Sequence, residues 1–109
     1  MPVSNNNDTW LELKAKTFKV FADPTRLRIL ELLREGEFNV STIMEKLGLK
    51  QSTVSQHLRM LKECGVVTSR KEGREIYYRL KSEKVIKILD EGDELLASTI
   101  EELTSCVCP

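Results

Sequence analysis

Twelve residues near the middle of the chain, Gln51-Ser-Thr-Val-Ser-Gln-His-Leu-Arg-Met-Leu-Lys62, constrain the fold more than any other stretch. Val54, Leu58 and Leu61 recur at spacings of four and three, which lays one apolar stripe along a short helix. Ser52, Ser55, Gln56 and Arg59 fall on the opposite side. A purely solvated face favours Glu and Lys paired at helical spacing. This one offers hydroxyls, an amide and a guanidinium, the groups that read base edges and phosphates in a major groove.

The flanking segments give that helix a setting. Asn39 is a good N-cap for a short helix carrying Val40, Ile43, Met44 and Leu47 and closed by Gly48. Two short helices joined by a tight Gly-containing turn make a helix-turn-helix, with residues 51–62 in the reading position. Downstream, Cys64-Gly65 ends the helix, and Val66–Lys71 and Arg74–Leu80 alternate as strands around a two-residue turn expected at Glu72-Gly73. Arg70, Lys71 and Arg74 crowd the tip of that hairpin, which suits a wing straddling a phosphate backbone. Further upstream, Trp10, Leu13, Thr17, Phe18 and Phe21 mark a first helix. Asp23-Pro24 then restarts the chain into a second one through Leu27, Leu30 and Leu33, ending by Gly36. Ser82 opens a last helix with apolar positions at Val85, Ile88, Leu89, Leu96, Ile100 and Leu103. The expected architecture is mainly α with a small β-hairpin, a winged helix-turn-helix. Two terminal helices with broad apolar faces exceed what so small a core can bury, so they are expected to pack against a second copy.

Charge sorts the chain into thirds. Residues 1–49 carry 7 basic and 7 acidic side chains, residues 50–81 carry 8 against 3, and residues 82–109 carry 2 against 7. The net charge of zero therefore hides a basic centre, the footprint of a nucleic-acid face, and an acidic end. With 109 residues the chain is expected to form one domain over 9–103, flanked by a polar N-terminus (1–8) and a Cys-containing tail (104–109). No apolar run is long enough to span a membrane and no leader pattern opens the chain, so a cytoplasmic protein is expected. Paired acid/base groups, a nucleophile motif and a phosphate-cradling Gly loop are all missing, which argues against an enzyme.

In combination, Phe21-Ala-Asp-Pro-Thr-Arg-Leu-Arg-Ile-Leu30, Ser52-Thr-Val-Ser-Gln-His-Leu58, Leu61-Lys-Glu-Cys-Gly-Val-Val67 and Gly73-Arg-Glu-Ile-Tyr-Tyr78 closely resemble the ArsR/SmtB family of winged-helix repressors. The resemblance runs from about Trp10 to the last helix. It implies a homodimer that binds a double-stranded DNA operator without any cofactor and is released when a metal, metalloid or oxidant meets its sensing groups. On that reading Lys50, Gln51, Ser52, Thr53, Ser55, Gln56, His57 and Arg59 lie at the DNA, with Arg70, Lys71 and Arg74 on phosphates. Lys50 stands where the family often has a capping residue.

The sensing groups depart from the founding members. The stretch Glu37-Phe-Asn-Val-Ser-Thr42 lacks the thiol cluster of the arsenic sensors, and the single histidine, His57, is not on the last helix where zinc sensors carry their ligands. Three cysteines remain: Cys64 after the reading helix, and Cys106 and Cys108 in Ser105-Cys-Val-Cys-Pro109. Cys64 matches one ligand position of the cadmium/lead-sensing branch, whose second would fall at Met60, while another branch builds an arsenite site from C-terminal cysteines. Soft thiolates select thiophilic ions, so As(III)/Sb(III) or Cd(II)/Pb(II) is the expected inducer. Cys64 is equally readable as a small apolar filler. His57 is better suited to a hydrogen-bonding or phosphate role than to a metal. Two other functions fit the residues: a repressor switched by disulfide formation, and a winged-helix module that binds protein.

Overall fold

The computed structural model describes residues 8–105. Five helices and three strands follow in the order α1 (Asp8–Val20), α2 (Pro24–Leu33), β1 (Phe38–Asn39), α3 (Val40–Leu47), α4 (Gln51–Glu63), β2 (Val67–Glu72), β3 (Glu75–Leu80) and α5 (Glu83–Ser105). The boundaries have local causes. Asp23 is extended and its carboxylate accepts the Arg26 N–H at 2.9 Å, with Pro24 at the first helical position. Asn39 caps α3 in the same way, its side-chain oxygen accepting the Thr42 N–H at 2.9 Å, and Gly48 closes α3 in the left-handed region. Ser82 caps α5 by accepting the Lys84 N–H.

The sheet is antiparallel in the order β1-β3-β2, with Phe38 opposite Tyr78 on one side of β3 and Val67 opposite Leu80 on the other. Two features differ from the sequence reading. The hairpin turn is Gly73-Arg74, one residue later than Glu72-Gly73, because Glu72 pairs with Glu75. A two-residue hairpin favours positive φ at its first central position, and Gly73 at φ +63° supplies it without the steric cost that Glu72 would incur. The hairpin also gains a third strand. β1 is only two residues long, too short to show alternation, and Asn39 ties it down by donating to Glu75 at 3.0 Å while capping α3.

Ile29 and Leu30 of α2, Ile43 of α3, Val54, Leu58 and Leu61 of α4, and Val67 of β2 form a fully buried centre. α5 adds Val85 and Leu89 and then departs from the body, every residue from 91 to 104 being exposed. α1 buries only Val20. The core therefore holds the helix-turn-helix rigidly and leaves both terminal helices half used.

Candidate nucleic-acid interface

The amphipathic pattern of α4 translates directly into burial. Val54, Leu58 and Leu61 are sealed in the core, whereas Gln51, Ser52, Ser55, Gln56 and Arg59 are exposed and Thr53 and His57 are half-buried. Lys50 occupies the N-cap in extended conformation and makes no side-chain cap hydrogen bond. The first N–H groups of α4 are thus left without an internal side-chain acceptor beside an exposed ammonium, a combination that favours an anion.

The wing stands beside this helix, joined to it where Lys62 donates to Ser69 at 2.8 Å. Lys71 and Arg74 are exposed at its tip and have no ion-pair partner among the described residues. Arg70 is placed differently. Its guanidinium pairs with Glu37 at 2.8 Å, bonds Glu72 and lies 4.8 Å over the Tyr77 ring. The hydrogen bonds from Arg70 hold the Glu37 carboxyl below its ordinary range, and the same two carboxylates raise the guanidinium further above its own. Arg70 thus pins the wing to the segment ahead of β1. Sequence patterning gave no hint of Glu37, which lies 33 residues away.

His57 also has a partner inside the protein: its Nδ1 lies 3.3 Å from the Arg26 guanidinium of α2. Nothing in the pattern of α2 singled out Arg26. Cys64 is a free, half-buried thiol at the C-cap of α4, packed against the core and bordering two surface grooves. One groove, of about 570 Å³, separates α1 from α4, and the other brings Cys64 near Val85 and Ile88 of α5. Cys106 and Cys108 lie outside the described residues. Among the described residues no three His, Cys, Asp or Glu side chains gather closely enough to hold a metal ion. No helix among them is long and apolar enough to cross a membrane.

The helix-turn-helix with its exposed polar reading face is matched by the family model for bacterial regulatory proteins of the arsR family, over residues 23–69. An HTH-type transcriptional regulator of Methanocaldococcus jannaschii is 45% identical over 85 residues, which span 77% of this chain and 96% of that one. The chain belongs to the ArsR family of transcriptional regulators. A second relative, the probable mercury resistance operon repressor of Streptomyces lividans, is 33% identical over 84% of this chain and 74% of its own. Among solved structures, a homodimeric winged helix-turn-helix DNA-binding domain from Mycobacterium bovis, a possible ArsR-family regulator, superposes with a TM-score of 0.80. It is 31% identical and covers 92% of this chain and 95% of that one. ArsR membership makes the chain a DNA-binding transcriptional regulator and not an enzyme.

Proposed function

We propose that this ArsR-family regulator represses transcription as a homodimer, with α4 of each protomer in the major groove and the wing over the flanking backbone. The observation that carries the reading is the face of α4: Ser52, Ser55, Gln56 and Arg59 are exposed together on a helix whose other face is wholly buried. Gln51 and Thr53 border that face at the start of the helix. Lys50, Lys71 and Arg74 supply phosphate contacts, and Arg70 contributes by holding the wing in place. Dimerisation is supported by exposed apolar side chains on α1 (Leu11, Phe18) and α5 (Leu95, Leu96, Ile100, Leu103), and by the homodimeric relative. A repressor of this kind acts in the cytoplasm, where its thiols stay reduced.

The inducer is a thiophilic metal or metalloid, As(III)/Sb(III) or Cd(II)/Pb(II), held by Cys106 and Cys108 of the tail. Cys-x-Cys supplies two soft donors from one short segment. Cys64, a free half-buried thiol at the end of α4, is the third candidate donor.

Titrating arsenite, antimonite, cadmium and lead onto the protein–DNA complex tests this. At least one ion should release the DNA from the parent protein and fail to do so in the Cys106→Ser/Cys108→Ser variant. A double variant that responds like the parent to every ion removes the tail as sensor. Release by an oxidant alone, reversed by reductant, assigns the switch to disulfide chemistry instead.

A further inference from the structure

We propose that Arg26 is the positioning residue of the reading helix, and that it acts through a contact with His57 that requires the imidazole to be neutral. The role rests on α4 being the DNA-reading helix, as argued above, and it joins α4 to the C-terminal end of α1.

Arg26 lies in the first turn of α2 but serves three elements. Its Nε donates to the Val20 carbonyl at 2.9 Å and its Nη2 to the Lys19 carbonyl at 3.2 Å, the last two residues of α1. Both carbonyls lie at the negative end of the α1 dipole, and that of Lys19 also accepts the Ala22 N–H at 3.0 Å. Nη1 reaches across to His57 Nδ1 on α4 at 3.3 Å. The Arg26 backbone N–H meanwhile holds the Asp23 cap, so the residue's own place in α2 is fixed. A planar guanidinium presents its donors in a rigid fork, and three acceptors from two other helices therefore define one relative placement of α1, α2 and α4. Besides the apolar core, this is the polar joint between a helix proposed to meet the partner protomer and the helix proposed to meet DNA.

The joint is sensitive to protons for a geometric reason. A guanidinium donates and never accepts, so His57 Nδ1 has to offer a lone pair, which leaves the hydrogen of a neutral ring on Nε2. Protonation places an N–H and a positive charge against Arg26 and removes the acceptor. Two charged groups bear on the ring: the Asp23 carboxylate at the cap of α2, which favours a protonated imidazole, and the Arg26 guanidinium, which opposes it. Arg26 is the group in direct contact. His57 is also the chain's single histidine, and histidine is the residue type that changes charge most readily near neutral pH. The two possible roles of His57 therefore predict opposite behaviour. If the ring touched phosphate, acidification would strengthen DNA binding; if it holds α4 through Arg26, acidification weakens sequence-specific binding.

The test uses the full-length protein and a duplex selected from a random pool by the wild-type protein, with sonicated genomic DNA as the non-specific competitor. The readout is the ratio of specific to non-specific affinity between about pH 5.5 and 7.5. For the wild type the ratio should fall on acidification by roughly tenfold, within the usual size of couplings between sites. R26M should lower the ratio by a similar factor at pH 7.5, and R26K, which keeps the charge but not the fork, should fall between. H57Q retains an acceptor that does not titrate and should flatten the pH profile. If R26M does not fold, the R26K ratio and the H57Q profile decide. A ratio that is unchanged in R26K and R26M, a profile that survives in H57Q, or an affinity that rises on acidification overturns the proposal. Should the wild type enrich no sequence from the pool, the DNA-reading role of α4 fails first and this one with it. Loss of binding in Arg59→Ala with no effect of Arg26 substitution leaves the reader intact and sinks only the joint.

Discussion

α4 and α5 are both amphipathic helices, and their apolar faces meet different fates. The stripe of α4 ends wholly inside the protomer, with Val54, Leu58 and Leu61 each at 0% exposure. α5 spends only its first two turns on the core, through Val85 and Leu89, and then carries Leu95 at 71% and Leu103 at 62% exposure. The contrast separates two kinds of function. What α4 does depends on a scaffold that one chain supplies. What α5 does is incomplete without a second surface, because an apolar seam of this length in water marks an interaction site. The acidic side chains that share α5, among them Asp90, Glu91, Asp93 and Glu94, disfavour its approach to a phosphate backbone.

The largest effect expected from this contrast is in the core. Leu58→Ala should lower unfolding free energy by about 2–5 kcal/mol, as large-to-small changes at fully buried sites do, and the loss should not depend on protein concentration. Leu96→Ala should instead give an unfolding midpoint that shifts with concentration, because the partner proposed for it is another chain. Denaturant unfolding at two concentrations separates them; concentration dependence in neither protein removes the distinction between the helices. The Leu96→Glu/Leu103→Glu pair should yield monomers in sedimentation and reduce operator affinity roughly 100-fold, since two half-sites are no longer held together. A monomer that binds as well as the parent breaks the link between α5 and reading.

Smaller changes belong to the reading side. Arg59→Ala should cost about 1–3 kcal/mol of operator affinity and relax specificity at one position, whereas Lys71→Ala should weaken all sequences alike and reduce the salt slope by about one. Competition titrations at several salt concentrations distinguish them. Equal behaviour of the two variants would mean that α4 contacts backbone only.

How much of this was legible beforehand follows the range of the interactions. Caps are local, so Asp23, Asn39 and Gly48 announced the ends of α2 and α3 within four residues of their partners. The α4 stripe obeyed helical period and its burial followed. The turn slipped by one residue because Glu72-Gly73 and Gly73-Arg74 share the same glycine, and only the Glu72–Glu75 pairing chooses between them. Arg70 looked free because the carboxylate that binds it comes from Glu37, across the sheet, and the hydrogen-bonding role expected of His57 had no named partner because Arg26 comes from 31 positions away. Charge counting locates a basic region but cannot say which of its cations are already spent on the protein itself.

The Glu37–Arg70 pair offers the smallest of these tests, and a sharp one. Arg70 is about half exposed, so the pair is screened by solvent and its contribution to global stability is slight. Its pH dependence nevertheless has a definite sign. Glu37 sits below its ordinary value of 4.5 in the folded protein, held there by the hydrogen bonds from Arg70, so the stabilisation is fully present above that value. It is lost as pH falls through the lower, folded value. Glu37→Gln should therefore melt slightly below the parent at pH 7, and the gap should close in acid, below about pH 4.5, where the parent's own carboxyl takes up its proton. The same variant frees Arg70 at the edge of the wing. If Arg70 contributes to DNA binding only by anchoring the wing, freeing it should not steepen the salt dependence of binding. A slope that grows by about one would show that Arg70 is a phosphate contact kept in check by Glu37.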